Sequence, residues 1–98
     1  MISLEGRQIY VYTQPVDMRK SINGLSILAA RHLEMDPLSG HLFVFCNRRE
    51  NIIKILYWDR NGFCLWHKRL EKQSFRWPQT EDDIFEVDHR QLNWLLEG

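Results

Sequence analysis

Three consecutive apolar runs, HLFVFC at 41–46, NIIKILYW at 51–58 and FCLWHKRL at 63–70, carry large apolar side chains at both odd and even positions. Successive side chains of a strand point to opposite faces, so a sheet wetted on one side shows apolar residues at alternate positions only. Here Ile53, Ile55 and Tyr57 point one way and Ile52, Leu56 and Trp58 the other, with Lys54 as the one charge among them. In the third run Phe63 and Leu65 oppose Cys64 and Trp66. These residues dictate a sheet that must be covered on both faces.

The three runs read as an antiparallel meander of strands at 41–46, 52–58 and 63–70. Asn61–Gly62 is expected to supply the positive φ angles of a tight hairpin turn, and Asn47, Arg48, Arg49 and Glu50 form a charged loop at the opposite end of the sheet. Upstream, RQIYVYTQ at 7–14 has the β-branched and aromatic content of a strand and stops at Pro15. From Asp17, read as an N-cap, Met18, Ile22, Leu25, Leu28, Ala29 and Leu33 recur at three- and four-residue spacing, which predicts a helix over 17–34 that Asp36 and Pro37 end. Gly24 in its middle marks either close packing against the sheet or a tolerated surface glycine. Residues 75–87 are expected to be extended, with Asp83 to Val87 pairing against Ser74 to Pro78. Asp88 and Gln91 make a capping box for a short helix over 89–97. The class is therefore α+β: a single small domain over 1–98, an antiparallel meander packed on one main helix, with a short C-terminal helix. A helix of about 17 residues is roughly 25 Å long and covers one face. The other face falls to the C-terminal segment, to a curl toward a barrel, or to a partner chain.

A chain of 98 residues, 44% of them hydrophobic, supports one folded core and needs no disulfide scaffold. Cys46 and Cys64 lie inside apolar runs and the first residues lack the basic start and apolar stretch of a secretory signal, so a reducing cytoplasm is expected. No apolar run approaches the roughly 18 to 20 residues of a membrane span. The formal charge is zero, yet it is unevenly distributed. Residues 42–78 hold Arg48, Arg49, Lys54, Arg60, Lys68, Arg69, Lys72 and Arg76 against Glu50, Asp59 and Glu71. Residues 79–98 hold Arg90 against Glu81, Asp82, Asp83, Glu86, Asp88 and Glu97. The two segments either neutralise each other across the surface or serve partners.

Nuclease chemistry needs carboxylates converging on divalent ions, and no acid lies inside the expected strands. Cys64 and His67 have a C-x-x-H spacing with Cys46 and His41 on a neighbouring strand, which raises a small zinc enzyme as one alternative. Residues three apart on a strand face opposite sides, however, so the pair does not converge. No cofactor is implied. What remains is a basic surface interleaved with aromatics. Lys and Arg attract phosphates and aromatics stack on bases, and the candidate contacts to nucleic acid or to a protein partner are Arg48, Arg49, Lys54, Lys68, Arg69, Lys72, Arg76 and Trp77. A protein-interaction module or homodimer without nucleic-acid contact is the other reading, motivated by the two apolar sheet faces.

The ordered motifs VDMRKSINGL at 16–25, SGHLFVFCNRR at 39–49 and KILYWDRNGFCLWHKRLE at 54–71, followed by FRWP, resemble the TnpB-type accessory proteins, the second reading frame, of the IS66 family of bacterial insertion sequences. These are distinct from the RNA-guided nuclease of the same name. The resemblance spans nearly the whole chain. It implies a non-catalytic part in DNA transposition, beside a separate acidic-triad transposase and a further small DNA-binding protein of the element, and it transfers no ligand-binding residues.

Overall fold

The computed structural model describes residues 5–98. Five strands form one sheet: β1 (Ile9–Tyr12), β2 (Leu42–Cys46), β3 (Ile52–Asp59), β4 (Gly62–Arg69) and β5 (Ile84–Val87). Their spatial order is β4-β3-β2-β1-β5. The meander β2–β3–β4 is antiparallel, in the register Val44↔Ile55 and Ile55↔Trp66. The N-terminal strand departs from that pattern: β1 runs parallel to β2, so the sheet is mixed. β5 pairs antiparallel with β1, Val11 opposite Phe85, and not with the 74–78 segment. Phe75 and Trp77 are instead buried under the sheet, where their packing decides the course of the chain.

Both faces carry a core, as the two-sided patterning demands. On one, Ile9, Val11, Leu42, Val44, Ile53 and Ile55 pack on Phe75, Trp77, Val87 and Leu92. On the other, Tyr12, Phe43, Phe45 and Leu56 pack on Val16, Leu25 and Ala29. The first of these two faces is thus covered by the chain's own C-terminal segment: the 75–78 strap and helix α2 (His89–Glu97). The Asp88 carboxylate accepts from the Gln91 N–H at 2.8 Å and the Gln91 side chain accepts from the Asp88 N–H at 2.8 Å, which closes the capping box. The Lys68 ammonium donates to the Leu96 carbonyl at 2.8 Å, so a cation meets the negative end of the helix.

The first helix is shorter than its periodicity suggests. Asp17 caps a turn instead: its carboxylate accepts from the Arg19 N–H at 2.9 Å, and the Lys20 N–H returns to its carbonyl. That local bond competes with helix formation, and helix α1 spans Ile22–Ile27 with Ser21 at its N-cap. A π-helical turn, Leu28–His32, continues it. The helix ends where Glu34 enters the left-handed region at φ 54° and the Met35 N–H bonds back to the Ala29 carbonyl. Gly24 is half-exposed and does not pack closely on the sheet. A Cβ there would lie 3.1 Å from that of Lys20, so the close neighbour is the preceding turn and not the sheet.

The β3–β4 hairpin is a two-residue loop, Arg60–Asn61, closed by the pair Asp59↔Gly62. Its left-handed residue is Arg60, at φ 55°, with the Asn61 N–H bonded to the Asp59 carbonyl at 2.6 Å. Asn61–Gly62 therefore does not supply the positive φ, because the strand register places Gly62 already in β4. Arg7 ties this end of the sheet, donating to the carbonyls of Gly40 and Trp58 and pairing with Asp59 at 3.1 Å. Among the described residues no helix is long and apolar enough to cross a membrane.

Candidate nucleic-acid interface

Asn47 organises the loop between β2 and β3. Its side-chain oxygen accepts from the backbone N–H groups of Asn51 and Ile52, both at 3.0 Å, and its amide donates to the Asn51 side chain at 2.7 Å. Glu50 sits at φ 59°. The reversal is thereby fixed from inside, and Arg48 and Arg49 are left exposed at its tip. Neither guanidinium has an acidic partner within ion-pair distance among the described residues.

The sheet register brings more cations to the same end. Ile52 lies opposite Arg69, and the Leu70 N–H bonds to the Asn51 carbonyl at 2.8 Å. The loop beyond β4 returns to the β2–β3 loop through the Phe75 N–H and the Glu50 carbonyl, 2.6 Å apart, so Lys72 is held beside it. Arg48, Arg49, Arg69 and Lys72 consequently share one end of the sheet. Arg69 reaches Glu71 at 3.0 Å with both side chains mostly exposed, a pair worth little and easily exchanged for a phosphate. Arg19 and Lys20 lie near this end too, because the turn that carries them is anchored on β3. Sequence periodicity hid them inside an expected helix.

The other candidate residues are placed elsewhere. Lys54 is only 8% exposed, and its ammonium donates to the carbonyls of Met18 at 2.8 Å and Lys20 at 3.0 Å, so it clasps the turn before α1. Trp77 is buried, its indole N–H donating to the Tyr12 carbonyl at 3.1 Å. Lys68 is engaged at the end of α2. Arg76 lines a cleft beside α2 with Pro78, Phe85 and Trp94. An alternating strand pattern shows which side a residue takes but not what lies above it, which is why Lys54 and Trp77 read as surface from sequence.

Cys64 pairs with Tyr57 in the register and His67 with Lys54, which puts the two on opposite faces. Burial pushes the Cys46 thiol up to about 12, with Glu50 adding to the effect, so it stays protonated at neutral pH. Among the described residues no three His, Cys, Asp or Glu side chains gather as a metal site. Glu81, Asp82 and Asp83 lead into β5 at the same end of the sheet as Arg48 and Arg49 but along its opposite edge, with Asp83 3.8 Å from His32.

Comparison with known proteins places this arrangement in a family context. The family described as "IS66 Orf2 like protein" matches residues 7–98. The chain is similar to uncharacterized protein y4hO of Sinorhizobium fredii, 34% identical over 93% of this chain and 79% of the relative. It is also similar to uncharacterized protein y4jC of the same organism, 37% identical over 95% of this chain and 80% of the relative. No solved structure gives a significant match.

Proposed function

Because the chain belongs to the IS66 Orf2 like protein family, we propose that it is a non-catalytic accessory factor of transposition that grips DNA with the basic end of its sheet. The observation that carries this reading is the convergence of Arg48 and Arg49 with Arg69 and Lys72, two of them without any acidic partner among the described residues. Guanidinium groups on a rigid loop tip suit phosphate oxygens, which they meet with two parallel N–H donors. The edge position of β4 leaves the cations accessible to a duplex too wide to enter any cleft of the molecule. Among the described residues no helix or ribbon projects from this end to read bases, so the contact is to the backbone and serves to hold element ends for the transposase and the element's other small protein.

The test is a titration of the full chain against duplexes carrying the element's ends at several salt concentrations. Affinity should fall steeply with salt, and Arg48→Ala and Arg49→Ala should each lower the slope of log K against log salt by about 1. Undetectable or salt-independent binding at low salt would refute direct DNA contact and leave the transposase as the ligand of the same surface. A pull-down of the element's proteins with and without nuclease treatment separates the two.

A further inference from the structure

We propose that the outer edge of β5 is a docking site for an extended, basic segment of a protein partner, which adds to the sheet as a sixth strand and places an apolar side chain in the cleft under Trp94. This goes beyond DNA binding at the basic end and stands without it. Three independent features of the edge select the occupant.

The backbone chemistry comes first. β1 and β5 pair as Ile9↔Val87, Tyr10↔Glu86, Val11↔Phe85 and Tyr12↔Ile84, and the Thr13 N–H bonds to the Asp83 carbonyl at 2.8 Å. In an antiparallel ladder, residues bonded to the neighbour alternate with residues whose groups point away. That bond sets the phase: Asp83, Phe85 and Val87 face β1, and the N–H and C=O groups of Ile84 and Glu86 face outward. No group of the described residues bonds to those four. They form a template for an extended chain, the usual vulnerability of an edge and the usual means of strand addition.

Shape comes second. Beside the edge, on the face of Phe85 and Val87, lies a cleft of about 460 Å³ walled by Pro78, Leu95 and Trp94, with Arg76 and Glu97 as its two charged lining residues. Trp94 is 74% exposed, the most exposed large apolar side chain of the described residues, on a helix whose Leu92 is fully buried. A guest strand on this edge points alternate side chains to the face of Phe85 and Val87, into that cleft. An exposed tryptophan over an apolar cleft is a common anchor of protein interfaces.

Charge comes third. Between Trp77 and His89 the chain carries Glu81, Asp82, Asp83, Glu86 and Asp88 and no Lys or Arg. Asp83 is engaged by His32 and Asp88 caps α2, while Glu81, Asp82 and Glu86 have no ion-pair partner among the described residues. Glu86 lies on the face away from the cleft, where it would meet the intervening side chains of a guest strand. The surface therefore repels a polyanion and selects alternating basic and apolar residues.

The experiment uses the full chain, isotope-labelled for NMR, and the synthetic peptide acetyl-Lys-Val-Lys-Leu-Lys-Val-Lys-amide at physiological salt. The Ile84 and Glu86 amides and the Trp94 indole N–H should shift together. Methylating the peptide nitrogens that face β5 should cost about tenfold or more in affinity, whereas methylating the intervening ones should not. Glu86→Lys and Trp94→Ala, both at exposed positions, should each weaken binding by a similar factor. Replacing every Lys of the peptide by Glu should abolish it. Absence of binding, shifts along β4 instead, or indifference to methylation would overturn the proposal. So would concentration-dependent shifts of the same amides without peptide, which assign the edge to a second copy. Shifts of them by a single-stranded oligonucleotide would assign it to nucleic acid.

Discussion

Lys54→Met separates a structural lysine from a binding one. The parent ammonium is nearly sealed from solvent and makes two charge-assisted bonds, to the Met18 and Lys20 carbonyls. Methionine keeps most of the aliphatic stem, so little cavity forms and no unpaired charge is left behind. The Lys20 residue is exposed and its carbonyl rehydrates, whereas Met18 is half-buried and its carbonyl does not recover a full partner. A hydrogen bond to a charged group contributes about 1.5 to 3 kcal/mol. One such bond lost and one largely replaced by water gives a destabilisation of about 2 kcal/mol. For a domain of this size each 1 kcal/mol lowers Tm by roughly 4 to 8 °C, so a fall of roughly 8 to 16 °C is expected. Urea unfolding should show a lower midpoint with an unchanged m value, and hydrogen exchange should accelerate from Met18 into α1. DNA affinity measured below the transition should change little. A variant as stable as the parent but deficient in DNA binding would refute the reasoning and return Lys54 to the interface.

Three further substitutions test the same physical account. Asn47→Ala removes the acceptor for two backbone N–H groups and should cost about 1 to 3 kcal/mol in urea unfolding, with the loop-tip arginines losing their fixed spacing. Glu50→Gly relieves a left-handed residue and removes a carboxylate beside Arg48 and Arg49, so stability should rise by about 0.5 to 1 kcal/mol while polyanion affinity increases in a filter-binding titration. At about pH 8 a disulfide reagent should modify Cys64 quickly and Cys46 only as the chain unfolds, measured by the absorbance of the released thiolate. Cys46 also carries an alkaline dependence. Its folded thiol titrates at about 12 against an ordinary 9.0, so its contribution is fully present below about pH 9 and is lost as pH rises toward 12. The stability of the parent should therefore decline between about pH 9 and pH 11 more than that of Cys46→Val.

Side-chain parity made the double core legible: Ile53 and Ile55 against Leu56, Leu42 and Val44 against Phe43 and Phe45. The capping box at Asp88 was legible because it is a local motif. The parallel pairing of β1 with β2 was not, since the residues of a four-residue strand look the same in either direction and only the crossover through α1 decides. The start of that helix was misplaced because Asp17 serves equally as a helix cap or a turn cap, and its bond to the Arg19 N–H settles the matter. The bond to the Arg19 side chain holds the Asp17 carboxyl down to about 2, so the turn persists through the ordinary pH range. Of the basic residues, Arg48 and Arg49 could be placed at a loop tip from turn signals alone. That Lys54 and Trp77 are internal depended on what the first turn and the 75–78 strap cover, contacts between segments far apart in sequence.

The position of β1 between β2 and β5 has a consequence for synthesis on the ribosome. The meander can close as soon as β4 has emerged, but β1 keeps an open edge until β5, near the end of the chain, arrives to pair Ile9 with Val87. The face under Phe75, Trp77 and Leu92 stays bare for the same interval. Residues 70–87, which carry the chain from the end of β4 to the end of β5, take roughly 1 to 4 seconds to emerge at about 5 to 20 residues per second, and for that interval the nascent chain is a half-covered sheet. Completion of the fold is thus tied to the arrival of β5 and α2, and a chain cut short before β5 is a sticky intermediate and not a weakened protein.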